Sequence, residues 1–539
     1  MSPLQQLSTI IFALLLAFGL LPVQAQTTAD STQQHDETAE PELPKHHRRS
    51  RMNRLIKHEN APRYFDEHTG HREKRAEVLG HAHNSDSNSP HEALHVERVH
   101  ADSIRDTTLH SIFDFFKLGT VGGHLRYYGM ATTHPGELPG HYANAIGAEF
   151  RYETARFLGL SMAMSGRFTF GLWRSELSEP DSITGMLPNL ERQLFDIEDP
   201  ENFNDLDRLD ELYLHYTRNG FDGKLGRQYV ETPLLNKTDN RMKSYVTEGL
   251  WLSFLRENIG RFQGGFLWRF SPRSTTEWFE SGESVGLYSQ GFTVEGEPSD
   301  YAHHTETPGV VVLGYQSPRW HDFKAEGWFY AAPNLLGTGF LQVEYQPEDL
   351  YGWMPFGGVQ YITQWPIGTG GSADPDHRYF DLDERVHIGG AELGYENRHW
   401  RLSTRYVYIA ESGRFTFPRE WGREQLFYHM SRNRLEGLAN THATQLRAEY
   451  APSARLSLAG EFARRWNPAV DDYRHNKYGV PDMYQIDADI IYEFDDLLKG
   501  LSVRFLYIYN FAAEDDLTLA QQYYTTNYHH LNLIVQVDW

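Results

Sequence analysis

The chain of 539 residues contains no cysteine, so disulfides and cysteine catalysis are excluded. It has no surplus of positive charge either. The net charge is −23, which argues against general nucleic-acid binding. Long apolar runs are missing after Ile10–Val23, so any residence in a membrane has to be through strands rather than helices. A glycine-rich phosphate loop is absent. Residues 1–9 lack Lys and Arg, yet the run from Ile10 to Val23 leads into Val23-Gln24-Ala25, a small-x-small pattern. That run is too short for a comfortable membrane helix and reads as a secretory signal peptide, residues 1–25, cleaved after Ala25.

What the chain does have is aromatics, 14% of its residues, beside a mean hydropathy of −0.58. That pairing suits a membrane barrel, whose strands show lipid only half of their residues. The last strand shows the pattern most clearly. In Tyr528–Trp539, Leu531, Leu533, Val535, Val537 and Trp539 fall on one parity and His530, Asn532, Gln536 and Asp538 on the other, with Ile534 the single exception. An apolar residue at every second position, ending on an outward aromatic, is the pattern of a closing outer-membrane strand. It is also the expected handle for the barrel-assembly machinery.

Residues 26–117 form a different region. Its charges are of both signs, it lacks apolar periodicity, and His35, His46, His47, His58, His68, His71, His81, His83, His91, His95, His100 and His110 crowd into it. Such a segment cannot bury enough apolar area to offset its ordering entropy, so a mostly disordered periplasmic extension is expected. His46-His47 and His81-Ala82-His83 could capture metal loosely, but the spacings fit no defined cage and a solvated tether is the favoured reading.

From residue 118 to 539 alternating segments recur. Val121, Gly123, Leu125 and Tyr127 oppose His124, Arg126 and Tyr128, and Ile146, Ala148, Phe150 and Tyr152 oppose Glu149, Arg151 and Glu153. Phe262, Phe266, Trp268 and Phe270 oppose Gln263 and Arg269, and the same dyad returns around Arg447, Asp487 and Arg504. Short connections such as Asn219-Gly220 and Ala451-Pro452-Ser453 alternate with long polar ones, Ser175 to Asp207, Ser271 to Pro308, Thr363 to Arg385 and Ser412 to Thr441. The expected fold is an all-β transmembrane antiparallel barrel of about 18 strands in an outer membrane. Trp251, Trp268, Trp365, Trp400 and Trp539 read as interface girdle residues. His303-His304 and His529-His530 read as solvated or rim histidines, since neither pair has a partner that the sequence names.

Between residues 142 and 277 the chain resembles the OprD family of outer-membrane porins, in particular its Bacteroidetes-type members. The resemblance rests on YANAIGAEFRYETARFLGLSMAMSGRF, DLDRLDELYLHY, KLGRQYVETPLLNKTDNRM, TEGLWL and RFSPRS, taken in that order. REWGREQLFYHMSRNRLEGLANTHATQLRAEY is similar to that family's late long loop and the strand after it. The resemblance implies a monomeric-pore barrel with loops folded inward and a file of arginines that guides anionic groups. By motif and parity that basic ladder would hold Arg227, Arg241, Arg269, Arg273, Arg401, Arg405 and Arg447. Asp239 and Glu248 would line or brace a constriction. The alternative role for each arginine is an ion pair with a lumen carboxylate such as Glu149, Glu153, Glu449, Glu461 or Asp487. The implied function is passive diffusion of small hydrophilic solutes, amino acids, carboxylates or short sugars, with no cofactor and no enzymatic step. Its partners would be outer-membrane lipid and the solutes themselves. A barrel enzyme of lipase or protease type with a rim active site is the rival, and an active uptake receptor, which would need a folded plug, ranks last.

Overall fold

A computed structural model describes residues 112–238, 240–347, 352–494 and 499–539. The cleavage after Ala25, the histidine-crowded stretch and Asp239 lie outside the described residues. A helix, Ile112–Lys117, precedes the first strand and falls inside the stretch for which no structure was expected.

Eighteen strands form the wall. The first nine are β1 (Thr120–Thr133), β2 (His141–Glu153), β3 (Leu160–Arg174), β4 (Arg208–Arg218), β5 (Phe221–Gln228), β6 (Val246–Arg256), β7 (Gly260–Ser271), β8 (Val310–Gln316) and β9 (Phe323–Ala332). The second nine are β10 (Leu336–Tyr345), β11 (Met354–Pro366), β12 (Val386–Glu396), β13 (Trp400–Ile409), β14 (Thr441–Ser453), β15 (Leu456–Trp466), β16 (Met483–Phe494), β17 (Leu501–Ala512) and β18 (Tyr528–Asp538). Each pairs antiparallel with its neighbours in sequence, and β1 pairs with β18 from His124↔Asp538 to Thr133↔His529, so the sheet closes on itself. Closure removes both edges, which is what lets a sheet sit in hydrocarbon with no unpaired backbone. A further two-residue strand, Phe279–Glu280, adds to β7.

Parity places the side chains. Phe150, Leu313, Leu341, Val359, Leu393 and Leu446, each from a different strand, point outward and are exposed. A band of this kind would be an aggregation surface in water and is a lipid-facing belt on a barrel. No helix among the described residues is long and apolar enough to cross a membrane. In β18 the inward set is Tyr528, His530, Asn532 and Ile534. Ile534 keeps the parity of the wet face because it packs into an apolar cluster with Tyr128, Met130, Leu506 and Ile508.

Connections are short at one end, as at Asn219-Gly220 between β4 and β5, and long at the other. We label the long-end loops L1 (134–140), L2 (175–207), L3 (229–245), L4 (272–309), L5 (333–335), L6 (367–385), L7 (410–440), L8 (467–482) and L9 (513–527). Pro452 and Ser453, expected in a turn, lie within β14, where the register shifts between Tyr450 and Ser453. A second shift, between Glu248 and Gly249 where β6 meets β7, changes which face later residues of β7 take.

Candidate pore and constriction

L3 and L7 lie across the inside of the barrel. L3 leaves β5 and returns to β6, yet its backbone is held by arginines of β1, β3 and β4. Arg126 donates to the Arg241 carbonyl at 2.6 Å, Arg167 to that of Met242 at 3.0 Å, and Arg208 to that of Ser244 at 2.6 Å. Two of these guanidiniums are themselves fixed by buried carboxylates, since Arg167 pairs with Glu149 at 2.6 Å and Asp210 at 2.8 Å while Arg208 pairs with Asp210 at 2.6 Å. A fork of donors braced on one side and gripping a carbonyl on the other is a task for arginine rather than lysine. Lys243 of L3, beside them, is fully buried, and burial pushes its ammonium down to about 7, with Arg208 adding to the effect and Asp196 and Asp210 opposing it.

L7 is attached along the facing wall by inward glutamines. Gln364 of β11 donates to the Thr416 carbonyl at 2.8 Å and accepts from the Thr416 N–H at 3.1 Å. Gln445 of β14 does the same to both groups of His429, each at 3.0 Å. Gln360 donates to the Gln425 carbonyl at 3.0 Å and accepts from Phe427 N–H at 3.3 Å. A primary amide carries the same donor and acceptor as a peptide group, so each glutamine stands in for a strand partner. Farther along, Arg432 reaches β1 and β18, donating to the Tyr128 hydroxyl at 2.7 Å and to Asn532 at 3.0 Å.

The two loops meet inside. Asn236 donates to the Arg423 carbonyl at 2.7 Å, and Gln425 N–H donates to that of Pro233 at 2.9 Å. A Cβ on Gly422 would lie 2.5 Å from the Leu234 carbonyl oxygen and 2.9 Å from the Asn236 nitrogen, so only glycine allows the approach. Trp421 stacks on Phe270 of β7 at 5.0 Å and donates to Ser284 of L4 at 2.8 Å. Beside it, burial would push the Glu424 carboxyl up, but the Arg434 guanidinium at 2.6 Å outweighs this and holds it at about 2.

The expected site residues divide into three groups. Arg401, Arg405 and Arg447 face the lumen on β13 and β14, sharing parity with buried Ser403, Val407 and Glu449. Each is paired: Arg401 with Glu396 at 2.9 Å, Arg405 with Glu392 at 2.7 Å, and Arg447 with both Glu449 and Glu461. Arg241 and Arg273 belong to the loops. Arg241 is buried, with its carbonyl held by Arg126, and Arg273 donates to Asn240 and, at 3.0 Å, to Gln193.

Arg227, Arg269 and Glu248 are on the outer face, contrary to the expectation from motif and parity. Arg227 pairs with Leu212 and stands two residues after Leu225, and both leucines are outward and exposed. Glu248 lies opposite Arg227, and the register shift at Gly249 turns Arg269 out beside Glu248 while it turns Phe270 inward. They form one cluster there, Glu248 lying 3.2 Å from Arg227 and 3.8 Å from Arg269, with Trp268 donating to Glu248 at 3.1 Å and Arg227 4.5 Å from the Trp278 ring. Trp251, read as a girdle residue, faces inward and is buried among L3 and β7 side chains. His529 and His530 point to opposite faces, so they cannot share an ion: His529 stacks on outward Tyr509 at 4.4 Å and His530 contacts Thr132 at 2.8 Å inside.

The loop clamps Arg126, Arg167, Arg208 and Arg432 and the three glutamines were not singled out from sequence. Inward parity was the available signal for those on strands; Arg432, in L7, had none.

A closed eighteen-stranded transmembrane barrel narrowed by its own loops is the class that this fold defines. Solved barrels of the same fold include Pseudomonas aeruginosa OpdO, 14% identical over 80% of this chain and 99% of that chain at a TM-score of 0.59. Others are OccK9 (OpdG) of the same organism, 15% identical over 79% and 100% at 0.60, and its OpdK with vanillate, 12% identical over 79% and 99% at 0.60. No protein-family model and no curated protein matches the chain.

Proposed function

We propose that the chain is an outer-membrane channel of the OprD type, of its Bacteroidetes-type branch, and that it passes small hydrophilic solutes down their gradient. The observation that carries the reading is the pair of inward loops, L3 and L7, clamped to opposite walls and touching at Gly422 inside a closed barrel. The similar solved barrels add support, OpdK being described as an outer membrane protein and having been solved with a bound aromatic carboxylate, vanillate. Selection would come from width and wall charge, so no cofactor enters. Arg401, Arg405 and Arg447 are the proposed basic file. Each is held in place by carboxylates, Arg447 by two, and sets a fixed positive charge on the lumen wall, so a solute would find sites of modest depth. Arg227 and Arg269 are proposed as rim residues at headgroup level. The carboxyl-terminal strand, ending on outward Trp539, is the proposed handle for barrel assembly.

Single-channel recording of the purified mature protein in a planar bilayer under a salt gradient tests this. Discrete open steps are expected. Changing Arg401, Arg405 and Arg447 to Ala should move the ion preference toward cations, whereas Arg227→Ala with Arg269→Ala should leave it unchanged. A folded barrel that never opens, or that opens but hydrolyses a lipid or peptide substrate at its rim, would overturn the reading.

A further inference from the structure

The long loops bring one further group of chemistry together. Among the described residues one set of three or more metal-ligating side chains converges, Asp300 and His304 of L4 with His377 of L6, each offering a ligand atom within 4.8 Å of the others. No partner for His304 is legible in the sequence, and L6 supplies one.

Local structure prepares the arrangement. His303 takes a left-handed backbone, φ 61°, and His304 N–H donates to the Tyr301 carbonyl at 3.1 Å, so the chain turns back on itself there. In L6, Asp374 caps the 3-10 turn Pro375–His377 and Pro375 opens it. The two loops rest on a shared buried base. Tyr301 and Tyr379 meet edge to face at 5.0 Å, the Glu306 N–H donates to the Gly371 carbonyl at 2.7 Å, and Lys477 donates to the Tyr301 hydroxyl at 3.1 Å. Above that base the His304 and His377 rings stack, centroids 3.8 Å apart and planes 16° from parallel. His377 Nδ1 lies 2.7 Å from the Asp300 carbonyl oxygen. A ring whose N–H is held by a carbonyl keeps its other nitrogen as a ligand and is fixed in orientation, the usual outer support of a metal-binding histidine.

We propose that Asp300, His304 and His377 form a binding site for a divalent late-transition cation such as Zn2+, which clasps L4 to L6 at the long-loop end of the barrel. The chemistry suits that class. Two imidazoles and one carboxylate are the donors that zinc and its neighbours take, whereas calcium and magnesium favour all-oxygen sets. Zinc to nitrogen or oxygen distances of about 2.0–2.2 Å separate ligand atoms on one ion by up to about 4 Å, so a small rotation of exposed Asp300 and His304 toward half-buried His377 closes the site. A fourth position remains for water. His303 is not a ligand; its ring turns to Glu283, 3.1 Å away.

The experiment is zinc titration by calorimetry of the full mature chain, comparing wild type with the double variant His304→Ala, His377→Ala and with His303→Ala. Any metal taken up by the amino-terminal histidines is common to all three proteins, so the difference is what is read. The double variant is expected to lose one equivalent of Zn2+, and its remaining sites should match wild type. His303→Ala should retain that equivalent. Spin resonance of the Cu2+ form should lose one signal with two nitrogen ligands in the same variant. Equal stoichiometry in wild type and double variant, or loss in His303→Ala instead, would overturn the site. Each variant is first checked for heat-modifiable migration. If the double variant has lost its barrel, Asp300→Asn takes its place and should lower the affinity at least tenfold, unchanged affinity counting against the site.

Discussion

Lys243 carries a testable cost. Its ammonium is buried in L3 between Arg208, Arg167, Asp196 and Asp210, and its value in the folded protein is about 7. The unfolded chain would hold that proton to a pH of about 10.4. Below pH 7 both states are protonated and the folded form bears the whole cost of the buried charge. From there to pH 10 the unfolded state binds more protons, so stability rises with pH. The slope is worth about 1.4 kcal/mol for each unit between the two values. Lys243→Met should therefore raise the transition temperature of the heat-modifiable form at neutral pH and flatten its rise between pH 7 and 10; the same rise in both proteins would show that the lysine is not its source. At this scale the sequence was a partial guide. Arg401, Arg405 and Arg447 could be placed inward because β13 alternates without a break and the shift in β14 comes only after Tyr450, beyond Arg447. Arg269 could not, because one extra residue in β7 reverses its face and no residue type announces a bulge. Arg227 was misplaced for a simpler reason: the motif drew attention from its parity with exposed Leu225.

At the scale of elements, the loops were legible in extent and not in path. Ser175 to Asp207 matches L2, and the span after Ser412 matches most of L7, because a strand's alternation stops visibly where it ends. Where a loop goes afterwards depends on contacts hundreds of residues away, such as Arg432 with Tyr128. A hint lay in the inward glutamines of β11 and β14, amides on a face that a plain water-filled lumen does not require. Two changes should release the loops without opening the wall. Gly422→Ala forces L7 from the L3 backbone. Gln445→Glu keeps an acceptor for the His429 N–H but removes the Gln445 donor to the His429 carbonyl and sets a charge near Glu461, a loss of about 1–3 kcal/mol. Larger conductance steps, with unchanged heat-modifiable migration, are expected from both. Wild-type conductance in both would show that these contacts do not set the width.

For the molecule as a whole, the strand number followed from sequence because lipid imposes a period of two on every crossing and turn residues separate the crossings. Closure is the property that those strands acquire only together. A chain ending at residue 527 lacks β18, leaves β1 and β17 with bare edges, and should give no heat-modifiable band after refolding into detergent or lipid; a normal band would mean that β1 can find another neighbour. Where β18 is present, Trp539 N–H donates to the Gly123 carbonyl at 3.1 Å and Gly123 N–H to that of Trp539 at 3.3 Å. These two residues are farther apart in sequence than almost any other bonded pair in the wall, so their meeting carries the largest loop-closure cost and comes late in folding. A chain cut short during export meets no such partner. The seam thus works as a length gauge, and only a fully delivered polypeptide can set it.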